Sequence, residues 1–178
     1  ASLAASYVNL ANPGTYDAAP GVAPTWDATN GWIFDATQSQ YLTTGITPTS
    51  SWSAIIRASS LARADMWAFG NYDASGWGIQ LNSSVAGGTV YYNGPSLVVV
   101  SNRTSGVWAL AAGQGYYNGS TDGAAFTANA NPNAAIFLGD VSGIYRRYQT
   151  AYVQAFAIYN TTLTAPQVAA VSAAMAAL

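Results

Sequence analysis

Between Ser51 and Ser59 the side chains alternate with a period of two. Trp52, Ala54, Ile56 and Ala58 fall on one face, and Ser53, Ile55, Arg57 and Ser59 on the other. Successive side chains of a strand point to opposite faces, so this pattern calls for an extended chain and does not suit a helix. The signal recurs. Residues 32–34, 41–44, 66–69, 76–81, 89–92, 96–100, 107–111, 115–117, 135–138 and 151–159 are short and apolar or alternating, with Gly, Asn, Pro and Asp clusters between them. Asn30-Gly31 marks a turn before the first of these, and Asn93-Gly94-Pro95 joins two of them as a hairpin. Many short strands at near-regular spacing predict an all-β fold, an antiparallel β-sandwich or barrel.

The helical signal comes at the end of the chain. Thr164 is a good N-cap, Gln167 stands three residues later as its capping-box partner, and Pro166 falls in the first turn, where a missing N–H is harmless. Val168, Val171, Met175 and Leu178 recur at helical spacing, which predicts one apolar stripe lying on the sheets. The opening thirty residues read as irregular, punctuated by Pro13, Gly14, Pro20, Gly21 and Pro24. No repeat, charge block or linker divides the sequence, so residues 1–178 are expected to form one domain.

Composition bears on chemistry more than on fold. The chain has no His, Cys, Glu or Lys; its seven acidic residues are all Asp and its five basic residues all Arg. No imidazole is present to act as a base or metal ligand, no thiolate to attack, and no amine to form a Schiff base. The expectation is a protein that is not an enzyme. Charged residues make up 7% of the chain and the net charge is −2, which gives neither nucleic acid nor an anionic membrane a handle. The longest tight apolar run, Leu97 to Val100, is far too short to insert in a bilayer, and no signal peptide is visible. A surface so poor in charge is weakly guarded against self-association, so assembly into a larger particle is an expected alternative to a Ser/Thr/Asn-coated monomer.

Read in order, several motifs resemble the laminin-G-like jelly rolls of the concanavalin A-like lectin and glucanase superfamily. Gly31-Trp32-Ile33-Phe34-Asp35, continuing to Tyr41-Leu42-Thr43-Thr44-Gly45, is similar to the opening of that family, and 51–57 to its next strand. Tyr116-Tyr117-Asn118-Gly119 resembles its aromatic hairpin, and Ile136-Phe137-Leu138-Gly139 an apolar strand ending in Gly. Residues 153–160, then Leu163-Thr164 and the helix, resemble its closing strand and turn. The resemblance implies a β-sandwich of jelly-roll type with a short C-terminal helix. There are departures. Gln154-Ala155 stand where the family often has Asp-Glu, and the Glu/Asp cluster of the glucanase branch is missing. Glycoside hydrolysis needs two carboxylates held across one bond, and here the seven Asp are scattered.

The resemblance further implies a glycan or cell-surface polysaccharide as partner, an extracellular or virion-surface location, and a Ca²⁺ ion at a sandwich edge. No cofactor is required. Asp73, Asp122 and Asp140 are the candidate Ca²⁺ ligands, although each also suits an Asp capping its own turn. Sugar sites combine aromatic faces with amides and hydroxyls. Two regions offer that mixture: Asn71, Tyr72 and Trp77, and the loop of Tyr145, Arg146, Arg147 and Tyr148. The competing reading puts Trp77 in the core and pairs the arginines with Tyr or Asp. Two functions follow: a non-catalytic recognition or adhesion module that binds carbohydrate, or a structural decoration or fibre component of a virion or cell-surface assembly.

Overall fold

The computed structural model describes residues 2–59, 66–71, 76–83, 86–129, 137–138 and 151–178. Among these the chain runs through α1 (Leu3–Ser6), β1 (Ala19–Val22), β2 (Thr25–Asp27), β3 (Gly31–Phe34), β4 (Tyr41–Thr43), β5 (Ser53–Ser59), β6 (Met66–Asn71) and β7 (Trp77–Ser83). It continues through β8 (Gly88–Asn93), β9 (Ser96–Val100), β10 (Gly106–Ala111), β11 (Gln114–Tyr117), β12 (Ser120–Thr121), β13 (Phe137–Leu138), β14 (Ala151–Tyr159) and α2 (Ala165–Ala176). The strands form two antiparallel sheets. One is ordered β1-β4-β13-β6-β7-β8-β9 and the other β12-β11-β10-β5-β14-β3-β2. The fold is the predicted β-sandwich with a C-terminal helix.

The main core lies between the sheets. Leu42, Phe69, Trp77, Ile79, Leu81 and Tyr91 of the first sheet meet Phe34, Ile56, Trp108, Leu110 and Val153 of the second. Phe69 and Phe156 touch across the two layers with ring centroids 5.3 Å apart. β14 has to change phase to supply this core. Ala151 and Val153 are the inward residues of its first half, and Phe156 and Ile158 pack on the same core from its second half. Strict alternation would put one pair outside. A bulge between Val153 and Ala155 inserts Gln154 and restores the register, so that Val153 faces Ala58 and Phe156 faces Ile56. Gly31, at φ +75°, sits against this strand, and a Cβ there would fall 2.2 Å from the Val153 carbonyl oxygen, a space closed to any side chain.

The second sheet is covered on its other face as well. Ile55, Val107, Ala109, Ala111 and Tyr116 form a smaller core with Leu163, Val168 and Met175. The Ile55 face of β5, which alternation alone leaves unassigned, is thus the seat of α2. The predicted capping box is present: Gln167 Oε1 accepts hydrogen bonds from the Thr164 backbone N–H at 2.8 Å and from its hydroxyl at 2.9 Å. The stripe differs from the predicted one. Val168, Ser172 and Met175 are buried and Val171 is half-buried. Leu178 is 79% exposed, because the helix ends at Ala176 and leaves it beyond the last turn. Arg57, on the helix-facing side of β5, donates from Nη1 to the Met175 carbonyl at 2.9 Å. A guanidinium at the negative end of the helix dipole stabilises it.

Candidate functional site

Three of the predicted site residues, Asn71, Trp77 and Asp122, are among the described residues. Tyr72, Asp73, Asp140, Tyr145, Arg146, Arg147 and Tyr148 lie outside the described residues. Trp77 is 0% exposed and packs beside Phe69 in the main core, so its indole presents no face to a ligand. Asn71 is buried next to it and accepts the Trp77 backbone N–H at 3.0 Å. This pair is a structural latch between β6 and β7, and its alternation reported burial rather than binding. Asp122 is buried and its carboxylate is taken. Arg103 grips both oxygens at 2.8 and 2.9 Å, and Tyr91 donates its hydroxyl to Oδ2 at 2.9 Å. The Arg103 guanidinium also lies 4.1 Å above the Tyr117 ring. Burial and the neighbouring Asp122 charge push the Tyr91 phenol far above its ordinary range, so it stays protonated as a donor. Among the described residues, no group of three or more acidic side chains is placed to hold a metal ion.

Among the described residues, an arrangement that can receive a ligand lies elsewhere. At one rim of the sandwich, a cleft of about 290 Å³ is lined by Tyr16, Ile46, Thr47, Trp52, Ile158, Tyr159 and Asn160. Three separate stretches of chain build it. Trp52 stands just before β5 and Tyr159 closes β14, and the two meet because Ser53 pairs with Tyr159 in the sheet. Ile46 and Thr47 belong to the loop that leads from β4 toward β5. Tyr16 comes from the N-terminal loop, is 60% exposed, and has φ +57°. That backbone region is uncommon for a non-glycine residue and needs outside support.

The support is visible. The Asp17 carboxylate accepts the backbone N–H of Asn9 at 2.8 Å and that of Gly14 at 3.2 Å from each oxygen, and Asn9 Nδ2 donates to the Thr15 carbonyl at 2.9 Å. These bonds fold residues 9–17 into a closed loop that holds Tyr16 out. The strand side is fixed as tightly. Buried Asn93 donates from Nδ2 to the carbonyls of Ser50 and Ala112 at 2.8 and 2.7 Å, and the Ala112 N–H bonds the Trp52 carbonyl at 3.3 Å. Ser53, fully buried, donates to the Thr161 carbonyl and accepts from the Leu163 N–H, each at 2.9 Å. Trp52 is half-buried, with part of its surface against the main core.

Three rings, one amide and three hydroxyls, two of them phenolic, thus line the cleft among the described residues, with no carboxylate. Such a set can stack on a flat apolar face and hydrogen-bond its polar edge; it holds no nucleophile–base pair. A second aromatic cluster, Trp67 stacked on Tyr92 at 5.0 Å beside Gln80, lies on the outward face of the first sheet. Trp67 there is 1% exposed and has no free face.

No family model matches the chain, and no curated protein does. Several solved structures share its fold. The binding domain of Paraclostridial Mosquitocidal Protein 1 superposes with a TM-score of 0.60 at 13% identity, over 87% of this chain and 47% of that one. Domain 4 of AbnA, a GH43 extracellular arabinanase from Geobacillus stearothermophilus, in complex with arabinotriose, superposes at 0.57 with 16% identity over 88% of each. The sialidase of Trypanosoma rangeli superposes at 0.52 with 12% identity, and this chain, matched over 74% of its own length, spans 25% of that enzyme. At these identities the likeness is one of fold: the chain is similar to β-sandwich binding domains and to one part of a larger enzyme.

Proposed function

We propose that the protein is a non-catalytic carbohydrate-binding module: one laminin-G-like jelly roll over residues 1–178, working outside the cell or on a virion surface. The observation that carries this reading is the rim cleft, where Tyr16, Trp52 and Tyr159 converge with Thr47 and Asn160. A sugar ring has an apolar C–H face and a polar rim, and this lining complements both. The similarity to a module in complex with arabinotriose supports the ligand class. The loop of Tyr145, Arg146, Arg147 and Tyr148, and a Ca²⁺ ion held through Asp73 and Asp140, remain secondary proposals from the sequence.

A glycan array, followed by titration of tryptophan fluorescence, tests the reading. Binding that quenches Trp52 and produces no new reducing ends is the expected result. A second reading, a structural part of an assembly, draws on the exposed Leu97 and Val99 of β9, at the end of its sheet among the described residues. Sedimentation showing a stable oligomer together with an empty array would favour it.

A further inference from the structure

We infer that the rim cleft selects uncharged saccharides, and that it binds them without a metal ion and with little dependence on salt. This rests on the carbohydrate-binding reading above and adds the ligand class. Six ionisable acidic or basic side chains lie among the described residues: Asp17, Asp27, Asp35, Asp122, Arg57 and Arg103. Each is committed inside its own neighbourhood. Asp17 closes the N-terminal loop through Asn9 and Gly14. Asp27 accepts the N–H groups of Thr29 and Asn30 at 2.9 and 2.7 Å. Asp35 accepts the N–H and hydroxyl of Thr37 at 2.8 and 2.7 Å. Asp122 and Arg103 hold each other, and Arg57 serves the end of α2. None of the six lines the cleft.

The consequence follows from solvation. An acidic sugar entering this cleft would lose water from its carboxylate and find phenols, an indole, an amide and a hydroxyl, with no cation among the described lining to meet it. A calcium-bridged sugar would need carboxylates that the described lining lacks. A neutral sugar loses only hydroxyl hydration, which Thr47, Asn160 and the tyrosine hydroxyls can replace, and gains contact with three rings. With no charge pairs formed, few counterions are displaced and salt has little to screen.

The test is calorimetric titration of the full chain with arabinotriose and cellotetraose as neutral probes and with sialyllactose and tri-galacturonate as acidic ones. Each is run at low and high sodium chloride, and with EDTA or calcium chloride. Tyr16→Asn is the diagnostic variant, because Asn tolerates the left-handed backbone that Tyr16 occupies and so deletes the ring without unfolding the loop. An unchanged melting temperature checks this. The expected result is that at least one neutral probe binds, with an affinity constant to within about twofold across salt and calcium conditions. Acidic probes bind at least roughly tenfold more weakly, and Tyr16→Asn weakens the neutral probe by about the same factor. Three results would overturn the inference and leave the carbohydrate reading standing: acidic probes binding as tightly as neutral ones, affinity abolished by EDTA, or neutral binding untouched by Tyr16→Asn. Binding of no probe, neutral or acidic, overturns both.

Discussion

Replacing Ser53 by Ala removes one oxygen and almost no volume, so it isolates a hydrogen-bonding role. The Ser53 hydroxyl is fully buried, donates to the Thr161 carbonyl and accepts from the Leu163 N–H, both at 2.9 Å. These bonds span 108 and 110 positions of sequence and tie the start of β5 to the crossover from β14 into α2. Without the hydroxyl, the Leu163 N–H is left buried and unpaired, which costs about 1–3 kcal/mol. Thr161 is exposed, so its carbonyl can turn to water at a loss of about 0.5 kcal/mol. The sum is about 1.5–3.5 kcal/mol, and at roughly 2–4 °C per kcal/mol for a chain of this size the melting temperature should fall by about 3–14 °C. Thr162→Val is the control: its hydroxyl bonds the Ser51 carbonyl at 2.7 Å on the exposed surface of the same crossover, and its loss should cost under about 1 kcal/mol. Scanning calorimetry and urea titration measure both, with the urea slope unchanged if the native state stays as compact. A Ser53→Ala melting point within a degree or so of the parent would refute the assignment of this hydroxyl as the clamp.

On the helix, Val168→Asp should cost several kcal/mol, more than about 3, by burying a lone carboxylate, while Leu178→Asp should fall within about 0.5 kcal/mol of the parent because Leu178 is exposed. Equal melting temperatures would show that α2 is not seated as described. Asp122→Asn should cost about 2–4 kcal/mol and release Arg103 from Tyr117, read by denaturant titration. Burial raises the phenol of Tyr91, and those of Tyr7 and Tyr116, above the ordinary value of 10.0. The unfolded chain therefore loses these protons first as pH rises. The stability they contribute is complete below pH 10 and declines above it, at up to about 1.4 kcal/mol per pH unit for deeply buried Tyr91 and less for the other two. Tyr91→Phe should flatten that alkaline decline in urea midpoints, and an identical slope in parent and variant would contradict it.

Much of the fold was legible because its signals are local. Alternation and turn residues located 96–100 and 151–159 with the bounds that β9 and β14 have, and Thr164 with Gln167 marked the start of α2. Alternation reports that a strand has two faces; it does not say which is wet. In β7 both faces are buried, Gly78 and Gln80 as well as Trp77 and Ile79, so Trp77 gave no sign of whether it was core or surface. Asp122 looked like a turn residue because its partner, Arg103, stands 19 positions away in sequence. The rim cleft was unreadable for the same reason. Trp52 and Tyr159 are brought together by the pairing of β5 with β14 and Tyr16 joins them from the N-terminal loop, and no local pattern in the sequence encodes either placement. The clearest available sign was positional: an aromatic residue just before β5 and another at the last position of β14, where side chains reach a sandwich rim.

The position of β5 also sets a timetable for synthesis. This strand is flanked by β10 and β14, residues 106–111 and 151–159, so neither neighbour exists when β5 leaves the ribosome. The about 100 residues that separate Ser59 from Tyr159 take roughly 5–20 s to translate, and closure of such long loops is slow compared with hairpin formation. Until β10 emerges Ile55 and Ile56 lie in an apolar segment with two open edges, and until β14 emerges one edge stays open, the kind of segment that chaperones bind and that aggregates seed on. β7, β8 and β9 need no such wait, since each pairs with its neighbour in sequence. The β6–β9 part of the first sheet should therefore form during translation, its join to β4 wait for β13, and the helix-backed sheet close only after β14 emerges. Any fragment that stops short of residue 151 should consequently be recovered as aggregate rather than as a smaller folded unit.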